Sequence, residues 1–177
     1  PLILAMSNPD PEVHPDLVAE HRPDAVMATG RSDFPNQVNN VLCFPFLFRG
    51  ALDVGATTIN DEMKIACVNA LAELAHSESD EKVASYYQNE TMRFGAGYIL
   101  PKPFDPRLIT TIAPAVAKAA IDSGVATRPF DSVAAYRKSL EPLVYRTGNV
   151  MRPIFEKAQG VAHKVVYTDG ENERVLR

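Results

Sequence analysis

Four side-chain amides, those of Asn36, Gln37, Asn39 and Asn40, lie within five consecutive positions of the chain. A side-chain amide has two N–H donors and a carbonyl acceptor but no charge, so it can donate to a carboxylate or pair with another amide. The same residue types are common in turns and helix caps, with Ser32 or Asp33 as an alternative cap for the helix that follows. On residue types alone, a ligand-binding loop and a simple turn both remain open.

The apolar runs on either side predict how this stretch is positioned. Residues 25–28 form an apolar run that ends at Thr29 and Gly30, and a second apolar run begins at Val41. That order predicts a strand, a tight loop and a helix. In an open α/β sheet, such a loop lies at the carboxyl end of its strand, where ligands bind. The backbone N–H groups and dipole of the following helix would also favour an anion there.

A second loop of the same kind follows the first predicted strand. Residues 2–6 are apolar, and residues 7–12 contain two prolines that restrict the backbone. Asn8 is therefore expected at the carboxyl end of this strand, as either a ligand contact or a plain turn residue.

The remaining pattern predicts an α/β fold in which helices flank part of a Rossmann-like parallel sheet. Helices are expected over residues 16–20, 41–54, 57–76, 106–123, 130–144 and 150–158, and a further strand over residues 164–167.

The sequence predicts three details of these helices. The helix over residues 41–54 is expected to be buried on nearly every face, with Arg49 on a solvated flank. Pro114 is expected to kink or break its helix. The buried stripe of the helix over residues 57–76 is predicted to comprise Ile65, Val68, Ala72 and Ala75, widened by Cys67 and Leu71.

Composition excludes several classes of protein. The 177 residues carry a net charge of −4 and no basic patch, so no nucleic-acid partner is expected. No apolar run approaches the ~20 residues that span a bilayer, so no membrane partner is expected. Cys43 and Cys67 have no CxxC spacing and are interpreted as reduced core thiols of a cytoplasmic protein. The histidines lack metal-ligand spacing, and no metal site is assigned to this chain.

Three strings together resemble a known family. They are SNPDPE at residues 7–12, ATGRSDFPNQVNN at residues 28–40 and FPFLFRGALD at residues 44–53. This series resembles the NAD(P)-binding domain of malic enzymes over residues 1–126. The later segments resemble the bacterial hybrid type, in which a phosphotransacetylase-like domain follows.

The resemblance implies oxidative decarboxylation of malate to pyruvate and CO2 with reduction of NADP, or of NAD. It assigns Asn39 and Asn40 to the substrate, and Asn8 and Asn39 to the cofactor. It assigns no catalytic residue to this chain, because the tyrosine, lysine and ligands of Mg2+ or Mn2+ in the family precede the matched segment. The alternative is a non-catalytic regulatory or oligomerisation module of a multidomain metabolic enzyme.

The resemblance also implies a domain organisation. Residues 1–126 would be the C-terminal half of the NAD(P)-binding domain, residues 127–160 a helical connector and residues 161–177 the start of the phosphotransacetylase-like domain. The chain would then be a piece of a longer, homo-oligomeric protein that binds acetyl-CoA as a regulator.

Overall fold

The computed structural model describes residues 1–77 and 93–144. The chain divides into two compact units, Pro1–Leu140 and Glu141–Arg177, and nearly all described residues belong to the first. The predicted helix over residues 150–158 and the predicted strand over residues 164–167 lie outside the described residues. No helix in the described ranges is long and apolar enough to cross a bilayer.

Within the described residues, the sheet of the first unit consists of two parallel strands. Strand β1 spans Leu2–Ala5 and strand β2 spans Val26–Thr29, with Leu2 opposite Val26 and Ala5 opposite Thr29. Helix α1, Pro15–His21, connects them. Parallel pairing requires a crossover connection of this kind, and the order strand, helix, strand agrees with the sequence prediction.

In the described ranges, four further helices follow β2, and their boundaries obey familiar signals. Helix α2 spans Phe44–Asp53 and has Pro45 in its first turn. Helix α3 spans Asp61–His76, and the side chain of Asn60 caps it by accepting from the N–H of Met63 at 3.1 Å. Helices α4 and α5 span Arg107–Asp122 and Val133–Val144. Gly124 follows α4 with a φ of 74°, as a glycine stop does.

The described core lies between α2, α3 and α4. The side chains of Met63, Val54, Leu108, Ile112 and Val116 are fully buried there. Helices α2 and α4 approach closely at Gly50, since a Cβ at this position would lie 2.5 Å from the carbonyl oxygen of Ala113. Apolar burial of this kind is the main stabilising contribution to the unit.

Three predictions about these helices differ from the structure, two of them only in part. In the predicted stripe of α3, Cys67 and Ala75 are buried and Leu71 is partly buried, whereas Ile65, Val68 and Ala72 are exposed. The other buried residues of α3 are Met63, Ala70 and Leu74. Helix α2 is buried on one face only, because Phe44, Phe48 and Leu52 are exposed. Helix α4 continues through Pro114, which is itself fully buried, so the predicted break does not occur, and the alternative of a kink stays a prediction.

The first part of the predicted connector packs against this core. The N–H of Arg128 donates to the carbonyl of Val54 at 2.8 Å, and its guanidinium donates to the carbonyl of Leu52 at 2.7 Å. The hydroxyl of Tyr136 donates to the Asp53 carboxylate at 2.6 Å, and Arg49 donates to the same oxygen at 2.7 Å. Arg49 therefore lies on a helix flank, paired with Asp53, as expected.

Candidate functional site

Two loops leave the sheet at the same edge. Ala5 and Thr29 are paired at the carboxyl ends of β1 and β2, so the loop with Asn8 and the loop with residues 30–39 begin side by side. This edge is where parallel α/β sheets bind ligands.

Asn36 holds the second loop in place. It is 6% exposed and has a φ of 55°, a left-handed conformation that Asn tolerates better than most residues. Its amide donates to the carbonyl of Met27 at 2.9 Å and to that of Ala96 at 2.7 Å. Its own oxygen accepts from the N–H of Ile99 at 2.9 Å. One buried side chain therefore joins β2 to a distant segment around residues 96–99.

Gln37 and the backbone close the loop from the other side. The N–H of Val38 donates to the carbonyl of Thr29 at 2.9 Å, and the amide of Gln37 donates to the carbonyl of Gly30 at 3.2 Å. The first two amides of the cluster thus serve the loop itself.

Asn39 and Asn40 lie where the loop becomes a 3₁₀ turn, Asn40–Leu42. The oxygen of Asn39 caps this turn by accepting from the N–H of Val41 at 3.0 Å. Its amide nitrogen and the whole exposed side chain of Asn40 make no hydrogen bond within the described residues. The described part of the chain therefore leaves donors of both amides unpaired.

The cap is not the one that residue types suggested. Asp33 accepts two hydrogen bonds from Arg31, at 2.9 and 2.6 Å, and neither Asp33 nor Ser32 caps the next helix. The Arg31 guanidinium lowers the pKa of Asp33 and lies over the ring of Phe34 at 5.3 Å. The positive charge in the loop is therefore already paired.

The first loop is closed by Ser7 and Glu12. The Glu12 carboxylate accepts from the Ser7 hydroxyl at 2.7 Å and from the Ser7 N–H at 3.1 Å. These bonds lower the pKa of Glu12. Asn8 lies inside the closed loop, exposed and followed by a cis peptide bond to Pro9.

Sequence reasoning missed two features of this edge. Asn36 was grouped with the other amides, although its position between Pro35 and Gln37 in a turn is one where a left-handed Asn is common. Thr29 is fully buried, and its hydroxyl has no hydrogen-bond partner within the described residues. For Thr29, the only signal in the sequence is its position at the end of an apolar strand.

The described side chains suit a neutral polar ligand or a carboxylate better than a metal. No three His, Cys, Asp or Glu residues in the described ranges lie together in a way that could hold a metal ion. The free amides match the donors and acceptor of a carboxamide, a ribose hydroxyl or a carboxylate. A cleft along α3, lined by Asn69, Ala72, Glu73, His76 and Ser77, is remote in sequence from both loops.

Parallel strands, a crossover helix and polar loops at the carboxyl edge define a nucleotide-binding type of α/β domain. Comparison with known proteins gives the family: residues 1–93 match the profile of the malic enzyme NAD-binding domain. The chain belongs to the malic enzyme family.

Two bacterial relatives match the sequence over essentially the whole chain. It is 62% identical to the NADP-dependent malic enzyme of Salmonella typhimurium, over 99% of this chain and 23% of that protein. It is 56% identical to the NAD-dependent malic enzyme of Rhizobium meliloti, over 100% of this chain and 23% of that protein. The chain thus spans about a quarter of the length of these curated relatives.

A solved structure supports the fold. The malic enzyme from Pyrococcus horikoshii superposes with a TM-score of 0.66 at 35% identity, covering 88% of this chain and 32% of that one. The predicted Rossmann-like α/β class is therefore confirmed.

Proposed function

We propose that this chain takes part in the oxidative decarboxylation of malate to pyruvate and CO2, with NADP or NAD as the hydride acceptor. The observation that carries the proposal is the pair of amide-bearing loops at one edge of a parallel sheet. The family match over residues 1–93 supports it.

In this proposal, the residues of this chain bind and orient malate and the cofactor. The free N–H groups of Asn39 and Asn40 donate to the malate carboxylate, and Asn39 also reaches the nicotinamide carboxamide. Asn8 contacts the nicotinamide ribose. Because a side-chain amide has N–H donors and a carbonyl acceptor, it can donate to an anion or pair with a neutral amide. Bound cofactor supplies the acceptor for the hydride that leaves malate C2.

The chemistry that breaks bonds is assigned to residues outside this chain. No three His, Cys, Asp or Glu residues in the described ranges lie together to hold Mg2+ or Mn2+. The Glu12 and Asp33 carboxylates of the two loops are bonded to Ser7 and Arg31. We therefore propose that residues 1–126 complete a nucleotide-binding domain begun elsewhere, that residues 127–160 connect it to a further domain, and that residues 161–177 begin a phosphotransacetylase-like domain. Homo-oligomer formation and regulation by acetyl-CoA through that domain belong to the same proposal.

Kinetics of the longer enzyme test the role of the amides. Asn40→Ala removes donors to a charged group, which raises the KM for malate roughly tenfold or more. Asn69→Ala, an exposed asparagine on α3, is the matched control and leaves KM unchanged. An unchanged KM in Asn40→Ala contradicts the assigned role, and an unsubstituted enzyme without malate turnover contradicts the proposed function.

A second experiment tests whether the catalytic groups lie outside this chain. The 177-residue chain alone, assayed with malate, NADP and manganese, is expected to show no turnover. Measurable turnover would place catalytic groups within this chain.

A further inference from the structure

The two cysteines of the chain are neighbours in space. Cys43 lies at the amino end of α2 and Cys67 lies in the middle of α3. Their sulfur atoms are 3.1 Å apart, with the Cys67 thiol donating to the Cys43 sulfur. This separation is only about 1 Å longer than a disulfide bond. The two residues are 24 positions apart in the sequence, so no spacing motif reveals the pair.

From this juxtaposition, we propose that Cys43 and Cys67 form a reversible oxidation site, in which hydrogen peroxide converts the two thiols to an intramolecular disulfide. Cytosolic disulfides of mesophiles, where they occur, are usually transient and catalytic or redox-sensing.

Burial decides which sulfur reacts first. Cys67 is 1% exposed, and burial raises its pKa to about 12, so it remains a thiol and is shielded from solvent. Cys43 is half-buried and is the sulfur that an oxidant reaches. Reactivity with peroxide requires access and thiolate character, and the core around Cys67 provides neither.

The reaction proceeds in two balanced steps. The Cys43 thiolate attacks one peroxide oxygen, the O–O bond breaks, and Cys43 becomes a sulfenic acid while hydroxide leaves. The Cys67 sulfur then attacks the Cys43 sulfur. The S–S bond forms, the S–O bond breaks, and water leaves with the proton of Cys67. Contact between the sulfurs offsets the low thiolate content of Cys67, because the second step is intramolecular.

Cys43 is the residue that moves to close the remaining distance between the two sulfur atoms. Cys67 lies inside a regular helix and within the buried cluster, whereas Cys43 lies where the 3₁₀ turn passes into α2. The N–H of Cys43 donates to the carbonyl of Asn40 at 3.2 Å, and that of Leu42 donates to the carbonyl of Asn39 at 3.0 Å. Movement of Cys43 is therefore passed to the turn that carries both amides. This consequence rests on the proposed function.

Peptide mapping tests the site itself. The full-length protein is treated with hydrogen peroxide, alkylated under denaturing conditions and digested with trypsin. We expect residues 32–49 and 65–82 to appear as one cross-linked species, lighter by two hydrogen atoms than the two peptides combined and separated by dithiothreitol. Recovery of both peptides alkylated, or of Cys43 as a sulfinic acid, overturns the proposal.

Substitutions supply the controls. Cys67→Ala is expected to leave Cys43 as a sulfenic acid that dimedone traps, and Cys43→Ser is expected to leave Cys67 unmodified. Cross-linking of Cys67 to another cysteine in Cys43→Ser would show that the contact is not the determinant and would overturn the proposal.

Activity tests the coupling to the amides separately. Oxidation of the unsubstituted enzyme is expected to lower malate turnover, dithiothreitol to restore it, and Cys67→Ala to lose less than the unsubstituted enzyme. A cross-link with unchanged turnover overturns the coupling but not the site. Absence of turnover in the reduced enzyme is a failure of the proposed function alone, since the cross-link is detected without it.

Discussion

The helical core and the strand edge of this protein are held together by different forces. Between α2, α3 and α4, fully buried aliphatic side chains pack together, and the contact of α2 with α4 at Gly50 leaves no room for a Cβ. At the carboxyl edge of β1 and β2, the loops are fixed by a few directed hydrogen bonds from Asn36, Gln37 and Ser7.

The difference has a functional reason. Apolar packing is non-directional and tolerates many sequences, whereas a site must hold individual atoms in place. At the edge, the buried amide of Asn36 supports the loop so that the neighbouring amides of Asn39 and Asn40 keep their donors free. The same residue type therefore has a structural role at one position and a proposed binding role three and four positions later.

Overpacking the core at Gly50 has the largest expected effect. A Cβ at Gly50 would also lie 3.1 Å from the Cβ of Val116 and 3.2 Å from the nitrogen of Ala117, so Gly50→Val forces α2 and α4 apart. We expect the free energy of unfolding to fall by at least about 3 kcal/mol. Urea unfolding followed by circular dichroism measures this change.

The control for that prediction is Gly97→Ala, because no atom lies within 4 Å of a Cβ at that position. It is expected to shift the unfolding midpoint little. Equal losses at Gly50 and Gly97 would mean that the contact of α2 with α4 does not determine the result, because the lower backbone entropy of the unfolded chain favours both substitutions.

Breaking the support of the strand edge has the next largest effect. Asn36→Ala removes three hydrogen bonds and leaves their partners at Met27, Ala96 and Ile99 unsatisfied. It also places a less tolerant residue at positive φ. We expect a loss of about 2–3 kcal/mol in the free energy of unfolding, measured by the same urea titration.

Two further variants separate the causes. Asn36→Gly keeps the backbone conformation but loses the hydrogen bonds, so it should recover only the part of the loss due to φ, about 1 kcal/mol. Asn40→Ala, which removes an exposed amide without partners, should leave stability nearly unchanged. A stable Asn36→Gly would show that backbone conformation alone fixes the loop.

The sequence predicted the order of elements well. Apolar runs, the Asn60 cap and the Gly124 stop are local signals, and β1, β2, α1 and the helices up to α5 were found within a few residues of their observed bounds. The resemblance to malic enzymes was confirmed by the family match. The roles of Asn8, Asn39 and Asn40 stay predictions.

The wrong predictions concern burial, which depends on the elements that pack against each helix or loop. In α3, the series Ile65, Val68 and Ala72 and the series Met63, Cys67, Ala70 and Leu74 both have helical spacing, and only packing against α4 selects the second. Likewise, the burial of Asn36 depends on carbonyl and N–H groups about sixty residues later, and no local pattern reports such contacts.

The smallest expected effect concerns the other loop of the edge. Because the two bonds from Ser7 stabilise the ionised Glu12, its lowered pKa means that their contribution is present above the usual glutamate pKa and is lost as the pH falls through the lowered value. Ser7→Ala removes the larger of these bonds, so the pKa of Glu12 should move back towards its ordinary value. A carboxyl-detected NMR titration of the unsubstituted protein and of Ser7→Ala measures the shift. If Glu12 titrates identically in both proteins, the Ser7 hydroxyl does not close the loop around Asn8, and the backbone restriction by Pro9 and Pro11 must suffice to hold it.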